Sequence, residues 1–194
     1  MSNPYWDEVW ERKGRCLQDS LRTSCGWEDT DCTSSSVYTA ITDQLKITAD
    51  DSILEVGCGS GYLANEIILG GHEYAGIDSS TSLIKAAKQH FKKDVFSVSE
   101  ANALPFENDS FDYVIVYSVF QYFPDKDYAM RCINEMCRIA RKGIFIGDIV
   151  EESSRDTHLK FTKGEFSPLI PAGANISEGI YTDKRFNVHW IFDE

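Results

Sequence analysis

The spacing of apolar residues changes near Asp51. Before it, Tyr5, Trp6, Val9 and Trp10 recur at helical intervals, and Val37, Ile41 and Leu45 do so again. This spacing predicts one helix over Pro4–Lys13 and another over Ser36–Lys46. The Ser-, Thr- and Asp-rich stretch Thr23–Ser36 between them is expected to be loop. Beyond Asp51, short apolar runs alternate with helical stripes. Strands are predicted at Ser52–Val56, Glu73–Ile77, Val95–Ser99, Asp112–Tyr117 and Gly143–Ile149, and helices at Tyr62–Leu69, Ser82–Phe91 and Lys126–Arg141. Strands that alternate with helices, and that read as unbroken apolar runs, imply an α/β fold: a doubly wound, mostly parallel sheet flanked by helices.

The chain has 194 residues, which fits one domain. It divides into an N-terminal helical extension over 1–46, a strand–helix core over 47–150 and a C-terminal segment over 151–194. Its formal charge of −12, from 19 basic and 31 acidic residues, disfavours a nucleic-acid partner, because such affinity comes mainly from Lys and Arg neutralising phosphates. The apolar runs are far shorter than the ~20 residues that span a bilayer, so no membrane partner is expected. Residues 1–15 lack the apolar core of a secretory signal. The six cysteines, Cys16, Cys25, Cys32, Cys58, Cys132 and Cys137, form no C-x-x-C pair, and no His cluster accompanies them. That argues against a bound metal and fits a reducing, cytoplasmic setting. Nothing in the sequence fixes the oligomeric state.

The candidate chemistry begins with Ile53-Leu54-Glu55-Val56-Gly57-Cys58-Gly59-Ser60-Gly61, a strand that runs through three alternating glycines into a helix. Such glycines allow a tight turn and close approach of backbone to a ligand. They equally suit a plain strand-to-helix turn. A dinucleotide loop would place its third glycine where Tyr62 stands. Asp78 closes the second strand, where open α/β sheets bind ligands, and its carboxylate can accept hydrogen bonds from a ribose diol. It can also serve as a turn or cap residue, although Ser79–Ser82 offers other caps.

A third segment joins these: Glu100-Ala101-Asn102-Ala103-Leu104-Pro105-Phe106, followed by Ser110-Phe111-Asp112-Tyr113-Val114. Together, Glu55-Val56-Gly57-x-Gly59-x-Gly61, Asp78 and this segment resemble the Rossmann-like (class I) S-adenosylmethionine-dependent methyltransferases, small-molecule type. The resemblance covers about residues 37–150, and Tyr5-Trp6 with Trp10–Gly14 resembles the leading helix of some members. It implies methyl transfer from S-adenosylmethionine, with S-adenosylhomocysteine as product and a small molecule as acceptor. It further implies cofactor contacts from Glu55, Gly57, Cys58, Gly59, Gly61, Asp78, Ser79, Glu100, Ala101 and Ser118. The Glu100 carboxylate would take the adenine amino group, where relatives carry Asp, and Ala101 would offer its backbone N–H. A non-catalytic, cofactor-binding regulatory domain and a protein methyltransferase stay open as alternatives.

No base is assigned. Tyr117, Gln121 and Asp148 are candidates from the ends of the fourth and fifth strands. Many relatives place His where Gln121 stands, and Gln takes no proton. His158 and His189 are further options. Trp6 and Trp10 either staple the extension to the core or form a lid over the cofactor. After Ile149, relatives add a helix and an antiparallel strand pair. Here only Gly179–Tyr181 and Phe186–Phe192 read as strands, without a convincing helix before them, so six or seven strands and an abbreviated C-terminal section are expected.

Overall fold

The computed structural model describes residues 3–16, 33–153 and 155–192. Most of the loop expected over Thr23–Ser36 lies outside them, as do Cys25 and Cys32. The chain begins with α1 (Pro4–Arg15) and α2 (Ser34–Leu45). It continues with β1 (Ser52–Val56), α3 (Ala64–Leu69), β2 (Glu73–Asp78), α4 (Thr81–Phe91), β3 (Phe96–Val98) and β4 (Phe111–Tyr117). It ends with α5 (Lys126–Ile139), β5 (Ala140–Val150), α6 (Lys163–Phe166), β6 (Asn175–Glu178) and β7 (Arg185–Ile191).

The seven strands form one sheet in the order β3-β2-β1-β4-β5-β7-β6. The first five run parallel, and β7 and β6 join antiparallel to their neighbours. The sequence expectation of a doubly wound, mostly parallel sheet is met. Successive side chains on a strand point to opposite faces. Leu54, Val56, Val114, Val116, Ile144 and Ile146 therefore pack on the face covered by α5. Ile53, Tyr113, Ile115, Tyr117 and Phe145 pack on the face covered by α2, α3 and α4.

Several boundaries differ from the sequence reading. α2 starts two residues early because Thr33 caps it, its hydroxyl accepting from the Ser36 N–H at 3.2 Å. α3 starts at Ala64, after a turn in which the Gly61 N–H donates to the Cys58 carbonyl at 2.9 Å. β5 starts at Ala140 because that residue pairs with Phe111, which shortens α5. The strand expected at Gly179–Tyr181 lies instead at Asn175–Glu178, whose single apolar residue, Ile176, gives no alternation to read. Gly179 belongs to the turn into β7. Between β5 and β6 the described residues form only the single turn of α6 and a 3₁₀ turn at Ser167–Leu169, which is the expected abbreviation.

Two docking arrangements place the ends of these elements. α1 crosses α4 at Gly14, where a Cβ would lie 2.6 Å from the backbone of Ser82 and Leu83. There Glu11 accepts from the Ser80 hydroxyl at 3.0 Å, from the Ser82 N–H at 3.2 Å and from the Ser82 hydroxyl, so its carboxylate caps the N-terminus of α4. On the opposite face, α5 holds the loop that follows β3. Glu135 accepts from the Leu104 N–H at 2.8 Å. Arg138 donates to the carbonyls of Phe106 at 2.7 Å and Leu104 at 3.1 Å.

Removing that guanidinium leaves two partly buried carbonyls without their donor. Arg138→Ala is expected to lower the unfolding free energy by about 1–2 kcal/mol, read as an earlier urea midpoint. An unchanged midpoint would mean that water replaces Arg138 without loss.

Candidate functional site

At the C-terminal ends of β1, β2 and β4 the backbone leaves a cavity of about 990 Å³, counting its open mouth. Its floor is the turn after β1. Gly57, Gly59 and Gly61 have φ of 77°, 55° and 93°, in the left-handed region that glycine occupies without a Cβ clash. A Cβ on Gly57 would meet Val119 Cγ2 at 2.4 Å, so the loop after β4 closes directly onto this turn. The N–H groups of Gly57 and Cys58 both donate to the Ile77 carbonyl, at 2.7 and 2.9 Å, and tie the turn to β2.

Asp78 sits at the end of β2 with both carboxylate oxygens engaged. Oδ2 accepts from the Gly59 N–H and Oδ1 from the Ser80 N–H, each at 2.9 Å. Each oxygen can still accept further bonds toward the cavity. The helix cap itself belongs to Ser80, whose hydroxyl accepts from the Leu83 N–H at 3.3 Å. Burial pushes the Asp78 carboxyl up to about 6 against the two N–H bonds that favour its charge. Glu55, on β1, is buried and accepts from the Tyr74 hydroxyl at 2.7 Å. Burial raises it to about 7, and the nearby Asp78 charge adds to the rise.

The far wall is the segment after β3. Glu100 stands exposed at the rim, and its Oε2 accepts from the Tyr128 hydroxyl at 2.6 Å. The roof is α1. Trp6 is buried and donates from Nε1 to the Thr157 carbonyl at 3.1 Å. The Tyr122 ring packs edge-on against Trp6 and Trp10, with centroids 4.6 and 4.9 Å away. Both tryptophans line the cavity, so packing and covering are one role here.

The cavity brings together Glu55, Gly57, Cys58, Gly59, Asp78, Ser79, Glu100, Ala101, Tyr117 and Ser118. Gly61 lies outside its wall, because a Cβ there would point at the Phe91 ring 2.5 Å away. Gln121 is also outside. Its amide donates to the Ser118 carbonyl and hydroxyl, both at 3.0 Å, and so orders the chain after β4 from behind. Asp148 pairs with Arg185 at 2.5 Å and is outside as well. The His158 ring packs under Trp6 and Tyr122, and His189 lies on β7; neither lines the cavity. Burial and neighbouring cations drop His158 to about 4, so it is neutral at pH 7. Among the described residues no His, Cys, Asp and Glu cluster is arranged to hold a metal ion.

Sequence spacing did not single out Tyr128, Val119, Tyr62 or Leu83, which complete the wall. Only the i, i+7 and i+10 relation of Tyr128, Glu135 and Arg138, which repeats the loop-facing side of α5, could have pointed to Tyr128.

Residues 54–146 match the family profile described as a methyltransferase domain. The chain is 29% identical over 126 residues to Methyltransferase GfsG of Streptomyces halstedii, covering 59% of this chain and 43% of that protein. It is 28% identical over 142 residues to 27-O-demethylrifamycin SV methyltransferase of Amycolatopsis mediterranei, covering 64% and 49%. It thus spans less than half the length of these relatives. Its fold matches magnesium protoporphyrin IX methyltransferase (ChlM) from Synechocystis PCC 6803, solved with bound SAH, at TM-score 0.71 and 14% identity, covering 98% and 96% of the two chains.

The raised carboxyls have a consequence for stability. A carboxyl that binds its proton more tightly when folded adds stability that is complete below its unfolded pKa and lost as pH rises through the folded one. For Glu55 that window runs from 4.5 to about 7, and for Asp78 from 3.8 to about 6. Between pH 5 and 7 Glu55 and Asp78 should therefore pull the ligand-free melting temperature down, while the depressed His158 pulls it up below 6.5, and Glu55→Gln should make the slope of melting temperature against pH more positive. Identical slopes for the two proteins, measured by scanning calorimetry, would remove Glu55 as its source.

Proposed function

We propose, from the premise that residues 54–146 belong to the methyltransferase domain family, that this chain binds S-adenosylmethionine and transfers its methyl group to a small-molecule acceptor. The observation that carries this reading is the meeting of the glycine turn, Asp78 and the Glu100–Ala101 pair on one cavity. The cofactor supplies an electrophilic methyl on a sulfonium sulfur. The cavity fits such a group: the carboxylates of Glu55, Asp78 and Glu100, a glycine backbone at Gly57–Gly59 and aromatic walls suit a ligand that is cationic at one end and a nucleoside at the other.

In this reading the residues divide the work. Asp78 accepts from the ribose hydroxyls. Glu100 accepts from the adenine amino group, and the Ala101 N–H donates to the ring. Gly57 and Gly59, with Cys58 and Ser79 beside them, let the backbone approach the ligand, and Glu55 and Ser118 flank its methionine end. Trp6, Trp10 and Tyr122 exclude water from the reacting atoms. Residues 1–46 and 151–194 serve as cover and acceptor side around the 47–150 core. Positioning of the acceptor in line with the methyl group supplies much of the rate. Gln121 and Asp148 are turned to other partners. We therefore assign neither as a base, and we infer an acceptor whose attacking atom is already nucleophilic. The chain's similarity to the rifamycin and protoporphyrin methyltransferases supports a small-molecule acceptor. The charge of −12 weighs against nucleic acid. Among the described residues no helix is long and apolar enough to cross a membrane. Cys16, Cys58, Cys132 and Cys137 form no disulfide, which supports a cytoplasmic setting. The alternative of a non-catalytic binding domain has one observation in its favour: of the three base candidates, Gln121 and Asp148 are engaged elsewhere and only Tyr117 lines the cavity.

Calorimetry with S-adenosylmethionine, S-adenosylhomocysteine and NAD tests the cofactor class, and transfer of labelled methyl groups into lysate fractions tests catalysis. We expect both adenosyl ligands to bind and NAD not to. We also expect label in protease-resistant, low-mass product. Binding without any transfer would favour the regulatory reading. Asp78→Ala should weaken S-adenosylhomocysteine binding by about 1–3 kcal/mol, roughly tenfold to a hundredfold, while circular dichroism stays that of the parent. Unchanged affinity would take Asp78 out of the site.

A further inference from the structure

We propose that Tyr128 is the positioning residue that enables a glutamate, at position 100, to recognise the nucleobase amino group. The inference rests on the adenosyl reading of the cavity and deepens it.

Glutamate has one more rotatable bond than aspartate, and an exposed Glu100 held by nothing would lose that freedom on every binding event. The structure holds it. The Tyr128 hydroxyl donates to Oε2 at 2.6 Å, a short charge-assisted bond, while Oε1 accepts no hydrogen bond among the described residues. The anchor is itself fixed. Tyr128 is 4% exposed, so its rotamer is set by packing. Its backbone N–H donates to Asp125 Oδ1 at 2.7 Å, its ring packs against Phe123 at 4.8 Å, and the Arg131 guanidinium lies 5.7 Å from the ring centre. The same helix clamps the rest of the loop through Glu135 and Arg138. One face of α5 thus sets both the path of residues 100–106 and the direction of the carboxylate at its start.

Two consequences of opposite sign are conceivable for a ligand. As an anchor, the hydroxyl keeps Oε2 and leaves Oε1 and the Ala101 N–H to the base. As a competitor, it occupies the edge and must be displaced. The firm packing of the ring and the open Oε1 support the anchor.

Isothermal titration of the full chain with S-adenosylhomocysteine and with S-inosylhomocysteine, whose amino group is replaced by a carbonyl, separates these cases. Tyr128→Phe keeps the ring and its packing. It should weaken adenosyl binding about tenfold, the cost of ordering a freed glutamate side chain on binding. It should leave inosyl binding nearly unchanged, so that the preference between the two collapses. Adding Glu100→Asp, whose shorter side chain needs no anchor, should restore part of the preference. Tighter adenosyl binding by Tyr128→Phe would show competition and overturn the proposal. Unchanged binding, or equal loss for both analogues, would overturn it too. Failure of the parent chain to bind S-adenosylhomocysteine at all would instead overturn the cofactor reading beneath it.

Discussion

The carboxylate of Asp78 joins two turns: Oδ2 binds the Gly59 N–H of the turn after β1, and Oδ1 binds the Ser80 N–H that opens α4. The three glycines of the first turn have dihedrals that side chains resist, and Val119 fills the space a Cβ would need. The second turn carries the cap of α4, to which Glu11 of α1 also binds. Floor and side wall of the cavity thus meet at Asp78, and Glu11 brings the roof to the same turn. The arrangement is costly in the ligand-free protein, because burial raises Asp78 and Glu55 above the ordinary carboxylate range. On the proposed reading, a ligand that brings hydroxyl donors and a positive charge would relieve that cost.

The second organiser is α5. It contributes Ala129, Ile133 and Met136 to the core and turns a different side toward the loop after β3. Backbone groups of that loop have no strand to pair with, and an unpaired partly buried carbonyl or N–H is unfavourable. Glu135 and Arg138 satisfy three of them. The loop therefore behaves as an extension of the helix surface, and the Glu100 carboxylate inherits that rigidity through Tyr128.

How much of this was legible in the sequence follows from the range of each interaction. The parallel strands were readable because burial on both faces makes them continuously apolar, as in Phe111–Tyr117. The glycine turn and Asp78 were readable because their dihedral and charge requirements are local. β6 was misplaced because an edge strand with one apolar residue carries no period. Gln121 and Asp148 were weighed by their position after β4 and near the end of β5, but rotamer and partner decide where such side chains go, and Ser118 and Arg185 claim them. Gly61 was grouped with its neighbours by motif, although its Cα faces Phe91 on α4 and not the cavity. Tyr128 went unnoticed because its partner lies 28 residues away, and a tyrosine on an amphipathic helix looks like packing.

The two ends of the sheet carry opposite electrostatics on the same strands. At the N-terminal ends, Asp51 and Asp112 meet Lys142 and Arg141 at 2.5 and 3.1 Å. Burial would raise both acids, yet hydrogen bonds from Lys142 and Thr48 to Asp51, and from Arg141 and Ser52 to Asp112, outweigh it and hold them below the usual range. At the C-terminal ends, Glu55 and Asp78 have no cation beside them among the described residues and are raised. Ser118 and Asp148 add left-handed dihedrals there, at 60° and 62°, on residues that have a Cβ. The acids of one end stabilise the fold at neutral pH, and those of the other detract from it. A chain under selection for stability alone would have no reason to keep the second set. Their concentration around one cavity, at the edge where open α/β sheets bind ligands, argues that this end of the sheet is shaped by what it holds.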